Sequence, residues 1–252
     1  MTRAPIRILV ANPNTTEAVT ERMLTVGRTV ASPGTELVGH TAPRGVPYVS
    51  SRAEAQIAGA VLLETLAENA GGFDAVIVAA FGDPGLFAAR ELFDVPVVGY
   101  SEAALVTALM LGRRFSVVTF ARALEPWYAE TIEAHGLSGR SAGVRCADRA
   151  FSSLETVGGE MEDHLVDLAR RAVEEDGADV VILGGAPLAG VAERVKHRIP
   201  VPCVDAMAAA VKQAEAIAAL APVAPTAGRF ARPPGKPSHG LASALADRIA
   251  GG

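Results

Sequence analysis

At 252 residues, half of them hydrophobic and a fifth charged, the chain is long enough for two modest α/β lobes or one large domain, and either buries a sizeable core. The formal net charge is −5, and basic residues come in nothing longer than pairs such as Arg113-Arg114 and Arg170-Arg171; phosphate binding needs clustered cations, so a nucleic-acid partner is excluded. Two isolated cysteines, Cys146 and Cys203, are too few for a disulfide framework or a zinc site, and the five histidines lack ligand spacing, so no metal is expected.

No apolar run reaches the length of a membrane span, and MTRAPIRILV runs into a strand-like segment without the hydrophobic core of a leader, so the expectation is a cytoplasmic protein with no membrane partner. Residues 6 to 11 (IRILVA) form the first short strand. It ends in Asn12-Pro13-Asn14-Thr15-Thr16, where an Asn or Thr caps a helix running through Val30. Polar groups thus stand at the carboxyl end of the strand, where ligands sit in open parallel sheets. Residues 35 to 40 (TELVGH) are a second strand. The loop TAPRGVPYVSS that follows is either a lid, with Tyr48, Ser50 and Ser51 as ligand contacts, or surface punctuation.

One helix is expected from Arg52 to Ala70, then the stretch FDAVIVAAFGDPGLFAARE: a strand at 74 to 79, a Gly-Asp-Pro-Gly turn, and a helix at 86 to 93. A strand at 95 to 100 and a helix to Leu111 complete a first lobe. From Arg114 the same grammar returns, with strand 115 to 120, helix Glu125 to His135, a weak strand 143 to 147 and one long helix from Leu154 to Glu175. ADVVILGGAPLAGVAERV then copies the earlier strand-turn-helix; setting Asp74 on Asp179 places Ala80 on Gly185. Strands alternating with helices, duplicated once, predict an α/β protein of two pseudo-symmetric lobes, residues 1 to 112 and 113 to 220. Each is a four-stranded parallel sheet flanked by helices, with one site in the cleft between them. The Pro- and Gly-rich tail, 221 to 252, ends in a helical piece whose apolar periodicity suggests packing back on the first lobe.

Both duplicated turns are built of small residues next to helix starts, where free backbone N–H groups cradle an anion. Asn12-Pro13-Asn14-Thr15, Phe81-Gly82-Asp83-Pro84-Gly85-Leu86, Leu183-Gly184-Gly185-Ala186-Pro187-Leu188-Ala189-Gly190, the helix after Val204-Asp205 and the Gly235-Lys236-Pro237 segment resemble the aspartate/glutamate/hydantoin racemase superfamily, in its hydantoin and allantoin racemase branch. The resemblance covers essentially the whole chain. It implies a cofactor-independent enzyme, usually a homo-oligomer, acting on a small molecule with two facing cysteines, one removing a proton and the other delivering one to the opposite face. This chain carries Ala80 and Gly185 at those two positions, and neither side chain can hold a proton.

The resemblance places the substrate among Asn12, Thr15, Tyr48, Ser51, Ala80, Phe81, Thr119, Phe120, Gly185, Ala186 and Pro187. Asp83, Glu102 and Asp205 are read as helix caps or packing groups, and Cys146 and Cys203 as structural thiols. The resulting expectation is a racemase or isomerase for a hydantoin-like or amino-acid-derived substrate with a thiol-free site. The alternatives are a lyase or decarboxylase using the same anion cradle, and a protein that binds the small molecule without turnover.

Overall fold

The computed structural model describes residues 5–252; the first four residues of the MTRAPIRILV segment, read above for a leader, lie outside the described residues. In the first half β1 (Ile6–Asn12), α1 (Glu17–Val30), β2 (Thr35–Thr41), α2 (Arg52–Glu68), β3 (Ala75–Val78), α3 (Leu86–Leu92), β4 (Val97–Gly99) and α4 (Tyr100–Leu111) alternate. The second half follows with β5 (Phe115–Thr119), α5 (Glu125–Ala134), β6 (Ser141–Cys146), α6 (Val157–Glu160), α7 (Glu162–Glu174), β7 (Val180–Leu183), α8 (Val191–Val195), β8 (Cys203–Asp205) and α9 (Ala206–Leu220); α10 (Ser243–Ile249) closes the chain.

All strands are parallel, in two sheets ordered β2-β1-β3-β4 and β6-β5-β7-β8. The two α/β halves therefore have one topology, as the duplicated sequence implies. Their inner strands are continuous Val, Ile and Leu runs because both faces are covered; β3, β5 and β7 are buried along their whole length. The repeated carboxylates do the same work in each half. Asp74 accepts from the N–H of Arg7 at the foot of β1 (2.8 Å), and Asp179 accepts from Arg113 and Arg114 N–H at the foot of β5 (2.9 and 2.8 Å).

The halves interlock instead of merely touching. α4 packs on α9 and reaches β7 and β8, while α9 covers β3, β4 and β1, so each half's last helix lies against the other half's sheet. Met207 and Val211 of α9 are fully buried in a core that also holds Ile8, Ile77, Val117 and Ile182. Each such side chain contributes about 2 kcal/mol. A second tie is polar: Glu215 of α9 accepts from the Ser32 N–H (2.6 Å), the Ser32 hydroxyl (2.9 Å) and the Thr35 hydroxyl (2.7 Å), with Lys212 Nζ at 2.9 Å. Burial raises the Glu215 pKa, but these four donors outweigh it and pull it to about 2.

Two elements differ from the sequence reading. The single helix expected from Leu154 to Glu175 is α6 and α7, broken at Met161 just after Gly158-Gly159, where two glycines weaken helix continuity. Thr16 occupies the N-cap position of α1 but its hydroxyl donates to Pro47 O (2.7 Å) in the loop before α2, and the Asn14 side chain accepts the Thr16 N–H instead (2.9 Å). In the tail, Leu245 of α10 is buried with Leu9, Leu62 and Leu66, and Arg248 and Arg232 both reach the Asp94 carboxylate.

Candidate active site

The carboxyl ends of β1, β3, β5 and β7 converge between the halves. Ala80 and Phe81 follow β3 on one side, Gly185, Ala186 and Pro187 follow β7 on the other, and Asn14, Tyr48, Val49 and Tyr128 complete the lining. The enclosed space is about 20 Å³, room for roughly one water, so the cleft is nearly shut. A wider groove of about 560 Å³ lies behind the Gly82–Phe87 turn, between α2 and α5, on the side away from Gly185.

Each turn is held by a carboxylate at a helix start, and the two halves use opposite partners. In the second half Asp205 caps α9, accepting from Met207 and Ala208 N–H (2.9 and 3.1 Å), and its other oxygen takes the Gly190 N–H of the β7 turn (2.6 Å). In the first half the carboxylate comes from the turn: Asp83, at φ 48°, accepts from Ser101 and Glu102 N–H (both 2.8 Å) at the start of α4. The residue in register with Asp205 is Gly99, and a Cβ there would stand 2.5 Å from Asp83 Oδ2. Glycine is required because the Asp83 carboxylate fills the space of its side chain.

These caps alter the origin of the anion cradle. α3 and α8 begin at Leu86 and Val191, beyond the cleft, and the starts of the longer α4 and α9 are already occupied by Asp83 and Asp205. The free donors are instead the turn N–H groups themselves: those of Phe81, Gly185 and Ala186 make no hydrogen bond among the described residues, while Gly82, Asp83, Leu188 and Gly190 donate elsewhere. Unbonded N–H groups on both walls suit a developing oxyanion.

Of the substrate contacts anticipated from the sequence, Tyr48, Ala80, Phe81, Gly185, Ala186 and Pro187 line the cleft. Thr119 and Phe120 lie just behind it, both fully buried, with the Phe120 ring 5.7 Å from that of Tyr48. Asn12, Thr15 and Ser51 are outside the lining. The Asn12 amide is spent inside its own loop, donating to Asn14 Oδ1 (3.1 Å), Thr16 O (3.3 Å) and Thr20 Oγ1 (2.9 Å). The Thr15 N–H donates to Val46 O (3.0 Å), and Ser51 caps α2 by accepting from Glu54 N–H (3.3 Å). The polar residue that the Asn-Pro-Asn-Thr loop presents is Asn14: its Oδ1 is held by Asn12 and Thr16, leaving its Nδ2 without an intramolecular partner. With Thr15 and Thr16 bound to Val46 and Pro47, the loop before α2 is tied over this end of the sheet and carries Tyr48 into the cleft.

Asn14 was visible within a recognised motif, whereas Tyr128 carried no sequence signal beyond an aromatic pair, Trp127-Tyr128, in an amphipathic helix. Its ring packs tilted against that of Phe81, with centroids 4.6 Å apart. Around it the site is rich in hydroxyls and poor in bases. The Tyr48 hydroxyl is buried without a hydrogen bond among the described residues, and the Thr119 hydroxyl is buried beside that of Tyr128. Burial pushes both the Tyr48 and Tyr128 phenols well above their ordinary range. Cys146, paired in register with Thr119 at the end of β6, is pushed up to about 12 by burial and by Glu125; burial and Asp205 bring Cys203 to about 12 as well. Neither thiol is a ready thiolate at neutral pH.

The turn is also braced across the halves. His135, at the end of α5, stands with Nε2 3.4 Å from Asp83 Oδ2 and Nδ1 3.6 Å from Glu102 Oε1, and Arg90 donates to the same Glu102 oxygen (2.8 Å).

This architecture has relatives. The Asp/Glu/Hydantoin racemase family model matches residues 8–214. A hydantoin racemase of Pseudomonas sp. (strain NS671) is 32% identical over 216 residues, 85% of this chain and 87% of that protein. The crystal structure of allantoin racemase from Pseudomonas fluorescens superposes with a TM-score of 0.88 at 37% identity, covering 93% of this chain and 100% of that one. Unliganded arylmalonate decarboxylase, at 20% identity and a TM-score of 0.55 over 85% of this chain and 93% of that one, shares the fold alone. Built of two interlocked parallel sheets with one cleft between duplicated turns, the chain belongs to the Asp/Glu/hydantoin racemase family.

Proposed function

We propose that the chain is a cofactor-independent isomerase that exchanges the acidic proton at the stereocentre of a hydantoin-like or amino-acid-derived small molecule, bound in the cleft between the β3 and β7 turns. The observation that carries this is the pair of walls: Phe81, Gly185 and Ala186, whose N–H groups have no hydrogen bond among the described residues, line one cavity, with the unpartnered hydroxyl of Tyr48 beside it. Such donors stabilise an enolate, and the relatives named for hydantoin and allantoin supply the substrate class.

A decarboxylase is the second reading, favoured by one feature. Every thiol and phenol around the cleft with a resolved shift is moved upward, and release of carbon dioxide needs carbanion stabilisation without a neutral-pH base. Incubation with single enantiomers of 5-substituted hydantoins, allantoin, aspartate and glutamate, and with a disubstituted malonate, in deuterium oxide, read by proton NMR and chiral chromatography, decides between them. Exchange with loss of optical activity is expected. Binding without exchange would leave the non-catalytic reading, and loss of a carboxylate from a malonate-type substrate would establish the lyase.

The same proposal includes a cytoplasmic location and assembly as a homo-oligomer. It is supported by the absence, among the described residues, of any helix long and apolar enough to cross a membrane, and by the exposed Met110, Leu111 and Leu220 on α4 and α9.

A further inference from the structure

A racemase cleft without thiols still needs a proton carrier for each face of the substrate. At residue 185 the space a side chain would take is already filled. A Cβ placed on Gly185 would stand 2.9 Å from Phe120 Cε1 and 3.7 Å from the Tyr128 hydroxyl oxygen, and the φ of +128° is itself unfavourable for any L side chain. Tyr128 reaches this spot from α5, 2% exposed, its ring wedged between those of Phe81 and Trp127 at 4.6 and 5.7 Å. The Thr119 hydroxyl lies beside its own. The Tyr48 hydroxyl is buried here without a hydrogen bond among the described residues, and buried polar groups are rarely left so unless a ligand or water completes them.

We propose that Tyr128 is the catalytic proton carrier on the face of the cleft covered by the second half of the chain, standing in for the thiol that the family resemblance places at residue 185. The assignment rests on the proton-exchange function above. In one direction the C–H bond at the stereocentre breaks, its electron pair passes into the neighbouring carbonyl to form the enolate, and the proton goes to the Tyr128 phenolate oxygen; a water on the opposite face then gives a proton to the carbon as the carbonyl returns, and the hydroxide left takes the phenol proton, restoring the phenolate. In the other a hydroxide on that opposite face takes the C–H proton to leave the enolate and a water, the phenol O–H bond breaks to form the new C–H bond as the carbonyl returns, and the water reprotonates the phenolate, regenerating hydroxide. The N–H groups of Phe81, Gly185 and Ala186 hold the enolate oxygen in both directions.

A phenol suits delivery better than removal. Burial first, then Tyr48, Cys146 and Tyr100 facing it, disfavour the phenolate of Tyr128, while Thr119 partly offsets them. Proton removal therefore accelerates as pH rises and shows no plateau at neutral pH.

The test follows deuterium exchange into each enantiomer of 5-benzylhydantoin separately, on the full chain. The wild type exchanges both. Tyr128→Phe is expected to slow exchange about 100-fold or more for the enantiomer whose C–H faces the second half, and less than about 10-fold for the other. A purely structural role would lower both alike. Trifluorotyrosine at position 128, with a more acidic phenol, is expected to move the alkaline rise to lower pH with the ring packing kept. Equal effects on both enantiomers, or a pH profile unmoved by the fluorinated residue, overturn the assignment of Tyr128 while proton exchange stands. A wild type that exchanges neither enantiomer, nor allantoin, aspartate or glutamate, overturns both.

Discussion

Replacing Ala80 and Gly185 by cysteine, one at a time, tests whether the two walls of the cleft are as unlike as the structure makes them. Ala80 has an ordinary backbone, is 6% exposed and already points a methyl group at the cavity, so Ala80→Cys adds one sulfur without moving the chain. Its cost is expected to stay within about 1 kcal/mol. Gly185, at φ 128° and ψ 131°, sits where side chains are strained by roughly 1–3 kcal/mol. The new Cβ would also meet Phe120 Cε1 at 2.9 Å, adding an overpacking cost of about 1–3 kcal/mol. Gly185→Cys is thus expected to lose roughly 2–6 kcal/mol in urea unfolding, and Phe120→Leu in the same chain to recover the steric part only, since the backbone strain remains. Thiol alkylation on the folded protein gives a second reading: in the Ala80→Cys chain the introduced thiol is modified in a native-like background. A Gly185→Cys chain as stable as Ala80→Cys would show that the β7 turn relaxes freely, and would refute the conclusion that this wall excludes a side chain.

Other expectations are brief. Glu215 is pulled from 4.5 to about 2, so its contribution is present above pH 4.5 and is lost as pH falls toward 2; the linkage is at most about 3 kcal/mol. Glu215→Gln should therefore be less stable than wild type at pH 7 and nearly equal to it at pH 2, by urea unfolding at each pH; a constant difference would contradict the linkage. Gly99→Ala should cost roughly 2–4 kcal/mol in urea unfolding, because the new methyl displaces Asp83 from the Ser101 and Glu102 N–H groups, and normal stability would contradict that close approach. Asn14→Asp keeps the acceptor for Thr16 but removes the free N–H donor, and calorimetry is expected to show about 10-fold weaker binding of a cyclic imide; unchanged affinity would take Asn14 out of the site.

The fold was legible because its signals are local and repeated. Buried parallel strands must be continuous apolar runs, and a duplicated Asp at the foot of β3 and β7 reads directly off the alignment of Asp74 on Asp179. The small-residue turns were legible for the same reason, as was Tyr48 on the covering loop. What sequence order conceals is which of two neighbouring polar residues turns inward. Asn12 and Asn14 are chemically identical and two positions apart. Only the closed loop, in which the Asn12 amide is consumed by Asn14, Thr16 and Thr20, decides that Asn14 faces the cleft.

Tyr128 was hidden for a deeper reason. Its role depends on a distance across the chain, from a helix after β5 to a turn after β7, and nothing in helix periodicity marks one buried aromatic as different from the next. The same holds for Asp83 and Gly99, whose significance is a 2.5 Å approach between separate segments. Loss of a thiol at residue 185 looks, in the sequence alone, like loss of function. In the folded chain the glycine, the rotated backbone and two rings form one arrangement: a Cβ at 185 would clash with Phe120 at 2.9 Å and stand in ordinary contact, 3.7 Å, with the Tyr128 hydroxyl. On the proposed function, a cleft with unbonded N–H groups and bracing carboxylates but no thiol at residues 80 and 185 keeps the means of stabilising an enolate and moves the proton through a phenol instead.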